Sequence, residues 1–510
     1  DLKALPDPDR LRSASQNIFS EPTNETERKL AKIWSEVLGQ KAIGIHDNFF
    51  EVGGDSILSI LIIARAKQVG IHITPRQVFQ YSTIAELATV AETATEVQMD
   101  QGLVSGELPL TPIQRWFFEL ELPNPHHWNQ PAMLAVPDDL DLVLLQDVLE
   151  RMMLHHDILR ARFSREAGRW KQEIAETVNV QPILRFDYSA LGEPERAEAI
   201  KSAVTALQSG LDITRGEIIR VAHFSCAPGK CGRLCIVPHH LGMDGVSWRI
   251  LLEDMETAYR QRQQGHAVRL PAKTTSYKTW AEHLAQYADS EKLRPELDFW
   301  IRDAASNGFS IPIDFHGGDN SVASERKLRV ALNAEETQAL LKRVPSVYNT
   351  LIDDLLLAAL VMTFSRWTGS DTLALGMEGH GREISESNID LTRTLGWFTS
   401  HFPVKLTLKS KNSGDAIKSI KEQLRRVPNR GVGFAILRYL CRDGVVVEQL
   451  RAANRSPVLY NYLGQFNQSA SSSGLFGLTS ESCGPDHAPA GPRSHILEIT
   501  AMVFDDRLQV

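Results

Sequence analysis

A single polar, glycine-containing stretch at residues 95–108 divides this chain into two unequal parts, so at least two separately built domains are expected. Ahead of it lie about 75 residues whose apolar positions recur at helical spacing. Behind it lie about 400 residues in which short apolar runs mix with helical periods, a pattern that predicts α/β layers. The boundaries are read as a lead-in at 1–22, a helical unit at 23–97, a linker at 98–106 and the large part at 107–510.

Charge and cysteine usage narrow the class. With 55 Lys+Arg against 63 Asp+Glu the net charge is −8, which argues against a general nucleic-acid binder. Hydrophobic residues at 43% exclude wholesale disorder. Five cysteines do not make a disulfide framework, and the chain reads as intracellular, cytoplasmic and reduced. The longest apolar run, at 355–363, is bracketed by Asp353, Asp354 and Arg366 and is too short to cross a membrane. No signal peptide opens the sequence. There is no initiator Met, and the start holds Pro6 and Pro8. An alternating run at 496–504 turns at Asp505-Asp506 and stops at Val510, as a hairpin cut off in its second strand. Both ends read as those of a slice of something longer.

In the helical unit, Asn24 with Glu27 predicts a capping box, and Leu30, Ile33, Trp34, Val37 and Leu38 continue it until Gly39. Residues 57–67 return to helical patterning, and Thr83 with Glu86 makes a second capping box. Ser56 follows Gly53-Gly54-Asp55 and sits just before a helix. Free N–H groups and the helix dipole favour an anion there, so the hydroxyl suits a phosphodiester. A plain N-cap is the commoner role for such a serine, and spacing alone leaves both open.

Three clusters stand out in the large part. His239-His240-Leu241-Gly242-Met243-Asp244-Gly245 follows a strand-like run, and histidine titrates near neutrality, so an acid–base role competes with a structural pair. Zinc fails on spacing: there is no HExxH, and Cys231 and Cys235 have no second ligand pair nearby. Glu378-Gly379-His380-Gly381-Arg382-Glu383 follows a strand at 373–377 and is either a solvated turn or a site. Tyr460-Asn461-Tyr462-Leu463-Gly464-Gln465-Phe466 on its own reads more readily as core packing with a satisfied amide than as a site. Residues 468–494, rich in Ser, Gly and Pro, read as a surface loop.

The segment Asp47-Asn48-Phe49-Phe50-Glu51-Val52-Gly53-Gly54-Asp55-Ser56 resembles the attachment motif of peptidyl carrier proteins of nonribosomal peptide synthetases, over residues 24–97. That resemblance implies an all-α, four-helix carrier. Ser56 would carry covalent 4′-phosphopantetheine, installed by a phosphopantetheinyl transferase, whose thiol holds an aminoacyl or peptidyl thioester. Asp55-Ser56, where many carriers have His-Ser, resembles carriers that work with epimerization domains. Asp1-Leu2-Lys3-Ala4-Leu5-Pro6 resembles the end of an adenylation domain, implying that partner upstream.

Pro112-Ile113-Gln114-Arg115-Trp116-Phe117 and the stretch from His239 through Trp248-Arg249 resemble the condensation superfamily. The Glu378 cluster, Arg393-Thr394-Leu395-Gly396-Trp397-Phe398-Thr399 and Asn461 to Phe466 resemble its epimerization branch. The implied fold is similar to chloramphenicol acetyltransferase: two α/β lobes, at 107–275 and 276–510, with a tunnel between them. The implied catalytic pair is His240 and Glu378. His239 supports, Asp244 and Arg382 hold loops, and Asn461 and Tyr462 line the site near the thioester. The implied reaction inverts Cα from L to D by proton removal and return, without metal or pyridoxal phosphate. A downstream D-selective condensation domain would draw off the product. Two departures are visible: Phe434-Ala435 stands for the usual Tyr-Gly, and the family's last strand and closing helix are absent after Val510.

Three other functions compete. A condensation domain would share the histidine motif but not the Glu378 cluster as it stands here. A decayed docking platform sits badly with intact His240 and Glu378. A stand-alone acyltransferase using coenzyme A is made unnecessary by the attached carrier.

Overall fold

The computed structural model describes residues 19–93, 100–226, 231–303, 309–384, 389–453, 456–466, 474–479 and 481–510. The lead-in motif from Asp1 to Pro6 lies outside the described residues. The helical unit has α1 (Glu25–Leu38), α2 (Ser56–Gln68), α3 (Pro75–Gln80) and α4 (Ile84–Val90), with a short antiparallel pair, β1 (Ile71–His72) and β2 (Glu92–Thr93). Leu30, Trp34, Phe49, Ile62 and Leu87 are wholly buried, and the Trp34 and Phe49 rings meet at 5.0 Å. Each such side chain contributes about 1.5–3 kcal/mol of burial. Gly39 closes α1 in the left-handed conformation, and the Thr83–Glu86 capping box is formed. The box at Asn24 is displaced. Asn24 accepts from the Glu27 N–H, but the Glu27 carboxylate takes the N–H and hydroxyl of Thr23 instead of returning to Asn24.

The large part opens with β3 (Gly106–Leu108), β4 (Ala132–Val136), β5 (Ala161–Glu166), β6 (Arg169–Ile174), β7 (Leu184–Asp187), β8 (Ile219–Ser225) and β9 (Gly232–Pro238). It continues with β10 (Thr372–Gly379), β11 (Ser400–Thr407), β12 (Val458–Phe466), β13 (Gly477–Leu478), β14 (Leu497–Phe504) and β15 (Arg507–Gln509). Among the described residues these build two five-stranded sheets, β13-β4-β9-β8-β7 and β11-β10-β12-β14-β15, and a small sheet β3-β6-β5. Strand β9 is continuously buried at its end and delivers the histidine pair directly, followed by helix Gly245–Gln263. The apolar helix Ile352–Thr368 precedes β10, which delivers Glu378.

Two sequence expectations are corrected, at the polar stretch and at the Ser/Gly/Pro-rich region. The end of the polar stretch is structured, because Gly106–Leu108 pairs with β6. The Ser/Gly/Pro-rich region is more than a surface loop: β13 pairs with β4, so residues 477–478 belong to the first sheet although they follow residue 276. The terminal hairpin forms, and its outer strand is not an open edge. Val330 and Val510 exchange both backbone hydrogen bonds at 2.9 Å, and Leu332 N–H donates to Leu508 O at 2.9 Å.

Candidate active site

Helix α2 shows how Ser56 is displayed. Asp55, not Ser56, is the N-cap: its Oδ1 accepts from Ile57 and Leu58 N–H at 3.0 and 2.8 Å. Ser56 is the first helical residue and lines a cavity of about 1080 Å³. His240 and Glu378 line that same cavity.

His240 is held in one tautomer. Met243 O can only accept, so the proton sits on Nδ1, 2.7 Å away. Gln130 Nε2 can only donate, so His240 Nε2, 2.8 Å away, presents its lone pair. The ring lies against Trp397, with centroids 4.0 Å apart. Burial drives its pKa down to about 4, leaving a neutral imidazole at pH 7. His239 turns away: its Nε2 bonds Pro125 O at 2.9 Å, its Nδ1 accepts from Leu241 N–H, and burial lowers it to about 3.

Glu378 has both oxygens engaged. Its Oε1 meets His401 Nε2 at 3.0 Å, and its Oε2 accepts from Asn461 Nδ2. Burial raises its pKa, but the charge and hydrogen bond of His401, together with His240 and His495, outweigh that and leave it below the usual carboxylate value. Strand pairing causes both contacts: Glu378 stands opposite His401 across β10 and β11, and β12 runs parallel to β10 with Met377 beside Tyr460.

Asp244, in the cavity wall, meets Arg382 at 3.2 Å, both nearly inaccessible to solvent. Arg382 also donates to Leu391 O and Thr394 O, and Asp244 accepts from Ser247 and Phe398 N–H. Gly381, at φ +68°, has no room for a side chain, since a Cβ would lie 1.7 Å from Phe398 O.

Asn461 and Tyr462 both line the cavity but differ in what they bond. Asn461 holds Glu378. The Tyr462 hydroxyl is buried with no hydrogen-bond partner among the described residues, and burial with the nearby charges of Asp55 and Asp353 pushes its pKa up. A bulge between Tyr462 and Gln465 then turns the motif toward the carrier. Gln465 Nε2 donates to Gly53 O at 2.6 Å, and Gly464, at φ +85°, lets Ile57 approach so closely that a Cβ would lie 2.9 Å from it. Lys67 pairs with Asp390, and the Arg430 guanidinium lies 3.6 Å from the Phe79 ring centroid. No sequence motif assigns a role to Gln130 or His401, and Gly464 and Gln465 enter only as part of a longer run. The signal for His401 is a pairing register, which only the folded sheet supplies.

His155, His156 and Asp254 bring their ligand atoms within 4.8 Å of one another. Asp254 already bonds the Arg393 guanidinium at 2.5 Å and His156 at 3.0 Å, so a metal ion there would compete with a fixed cation.

A condensation-domain family model matches residues 104–484, and a phosphopantetheine attachment site model matches residues 28–91. The chain is 43% identical to a linear gramicidin synthase of Brevibacillus parabrevis, over all of this chain and 10% of that protein. It is 37% identical to tyrocidine synthase 1 of the same organism, over 92% of this chain and 43% of that one. It thus spans about a tenth of the first of these relatives and under half of the second. Its fold is similar to the crystal structure of the epimerization domain from the third module of tyrocidine synthetase B, at TM-score 0.74 and 35% identity, over 81% of this chain and 92% of that one. The condensation domain of Monacolin K polyketide synthase shares the fold at TM-score 0.60 and 16% identity, over 80% of this chain and 92% of that one. With a phosphopantetheine attachment domain ahead of two α/β lobes, this chain belongs to the condensation-domain family of nonribosomal peptide synthetases.

Proposed function

We propose that this chain inverts the Cα centre of a carrier-bound aminoacyl or peptidyl thioester from L to D, with His240 and Glu378 as the proton-transfer groups. One observation carries the reading: His240, at the end of the first sheet, and Glu378, from the second, line one cavity that also takes in Ser56. Inversion removes a proton from one face of Cα and returns one to the other, so it needs two groups on facing walls. His240 carries its proton on Nδ1, leaving at Nε2 a lone pair that the Gln130 amide holds until substrate takes its place, and Glu378 is a carboxylate hydrogen-bonded to His401.

Ser56 is the attachment residue in this reading. Its position at the start of α2, with the capping done by Asp55, fits a phosphodiester-linked arm. That arm supplies a thioester, whose carbonyl acidifies the Cα proton. The chain's own residues do the rest. Gln130 and Met243 hold the His240 tautomer, Asn461 and His401 fix the carboxylate, and the Asp244–Arg382 pair ties the two loops together. An upstream adenylation domain, a phosphopantetheinyl transferase and a downstream D-selective condensation domain belong to the same proposal.

Peptide-bond formation is the second reading, favoured by the family match itself. Loading Ser56 with an L-aminoacyl group in D₂O separates the two. Deuterium at Cα and a D/L mixture without any acceptor support inversion. No exchange, with amide formation once an acceptor is supplied, would overturn it.

A further inference from the structure

We propose that His401 relays protons between Glu378 and water in a second cavity, separate from the one that takes the substrate. The proposal rests on the epimerase reading above.

Four observations carry it. His401 Nε2 lies 3.0 Å from Glu378 Oε1, and the other carboxylate oxygen is held by Asn461. Glu378 lines the cavity it shares with Ser56 and His240. His401 lines a different cavity of about 510 Å³, together with His495 and Trp116. The two cavities share Met377 and Phe402 as a wall, and the second opens past Ile313 and Ile496, each 47% exposed. The Trp116 ring meets the His401 ring edge-on at 4.4 Å and fixes its orientation.

A relay answers a need of the chemistry. A substrate filling the first cavity shuts Glu378 off from bulk water on that side, yet each inversion changes the number of protons held there. One proton lies in the 3.0 Å contact between Glu378 Oε1 and His401 Nε2. When Glu378 takes the Cα proton, His240 returns one to the opposite face, so the pair holds one more and His240 one fewer. His401 gives the extra proton to water in the second cavity, and His240 is reloaded from water in the first cavity once the arm withdraws. When His240 takes the Cα proton and Glu378 donates, both transfers run the other way. Burial lowers His240 to about 4, and Glu378 also lies below its usual value, so both groups facing the substrate favour the unprotonated form at rest. His401 is the basic side chain hydrogen-bonded to Glu378.

The test counts label loss per inversion. The phosphopantetheinylated protein is loaded with whichever of L-phenylalanine, L-leucine or L-valine inverts fastest, and followed in D₂O by chiral analysis and mass spectrometry. Carriers loaded with the L and, separately, the D amino acid are compared, so that one of them presents its Cα proton to Glu378. With the relay, protium taken by Glu378 is lost to solvent before it can return, so the unreacted enantiomer gains deuterium as fast as the centre inverts. His401→Gln keeps a hydrogen-bond donor for Glu378 but cannot carry a proton. In that variant the abstracted protium stays on Glu378 and returns to the face it left, so deuterium in the unreacted enantiomer per inversion falls at least roughly tenfold, while each inverted centre still takes its hydrogen from His240. Deuterium in the unreacted enantiomer at the wild-type ratio would overturn the relay and leave the epimerase reading intact. No inversion in the wild type would remove both. Should His401→Gln lose inversion, His401→Ala with and without added imidazole decides: restored deuterium gain in the unreacted enantiomer supports the relay, and none overturns it.

Discussion

The Arg382 guanidinium lies 3.2 Å from Asp244 Oδ1, joining the loop after the histidine pair to the loop after Glu378 across the interior of the large domain. Asp244 also caps helix Gly245–Gln263 through the Ser247 N–H. Both groups are buried, so removing one leaves the other's charge unpaired in a poorly solvated place. Arg382→Met is expected to destabilise the protein by about 3–5 kcal/mol, read from urea midpoints at constant slope. Asp244→Asn keeps the cap and is expected to cost less than Asp244→Ala.

Removing either facing group stops two-sided proton transfer. His240→Ala and Glu378→Gln are each expected to slow inversion by about 10²–10⁴-fold. Chiral analysis of product released from carriers loaded with L and, separately, D substrate measures it. An unchanged D:L ratio in either folded variant would contradict the proposed roles.

Why these two residues are legible in the sequence and others are not follows from how each is specified. His240 and Glu378 sit in local motifs at strand ends, and a contiguous motif survives reading in one dimension. His401 acquires its partner from antiparallel register, and Gln130 reaches His240 from 110 residues away. Neither relation leaves a local trace. Strand β13 is hidden for a related reason: two residues in a polar region pair with β4 only because the chain crosses between lobes. Asn461 and Tyr462, adjacent in one motif, both line the cavity, so this pair is legible from the sequence. The carrier's helices are the easiest to read, because caps and apolar period are both local.

Acid sensitivity follows from the buried histidines. Burial lowers His239 from 6.5 to about 3, so between those values the unfolded chain binds the proton and the folded chain does not. Stability is therefore complete above pH about 6.5 and falls as the pH drops toward 3. At pH 5 this one residue accounts for a loss of about 2 kcal/mol relative to pH 8. His239→Asn, compared with wild type in urea titrations at both pH values, is expected to show a smaller loss on acidification. An equal loss would place the acid sensitivity elsewhere.

Carrier docking depends on Gly464. Its φ of +85° and the approach of Ile57 mean that alanine there is strained and pushes against α2. The backbone cost alone is about 1 kcal/mol, and the contact adds to it. A 1.4 kcal/mol weakening corresponds to a tenfold change, so Gly464→Ala is expected to lower inversion of the attached substrate by roughly tenfold or more. Lys67→Glu removes a partly exposed ion pair with Asp390 and should cost less, because solvent screens such pairs. A short free thioester does not need the carrier to dock. Its Cα exchange should therefore proceed at the same rate in wild type and Gly464→Ala, provided the strand keeps its register. If both substrates slow equally, Gly464 shapes the Asn461–Glu378 geometry and not the docking surface.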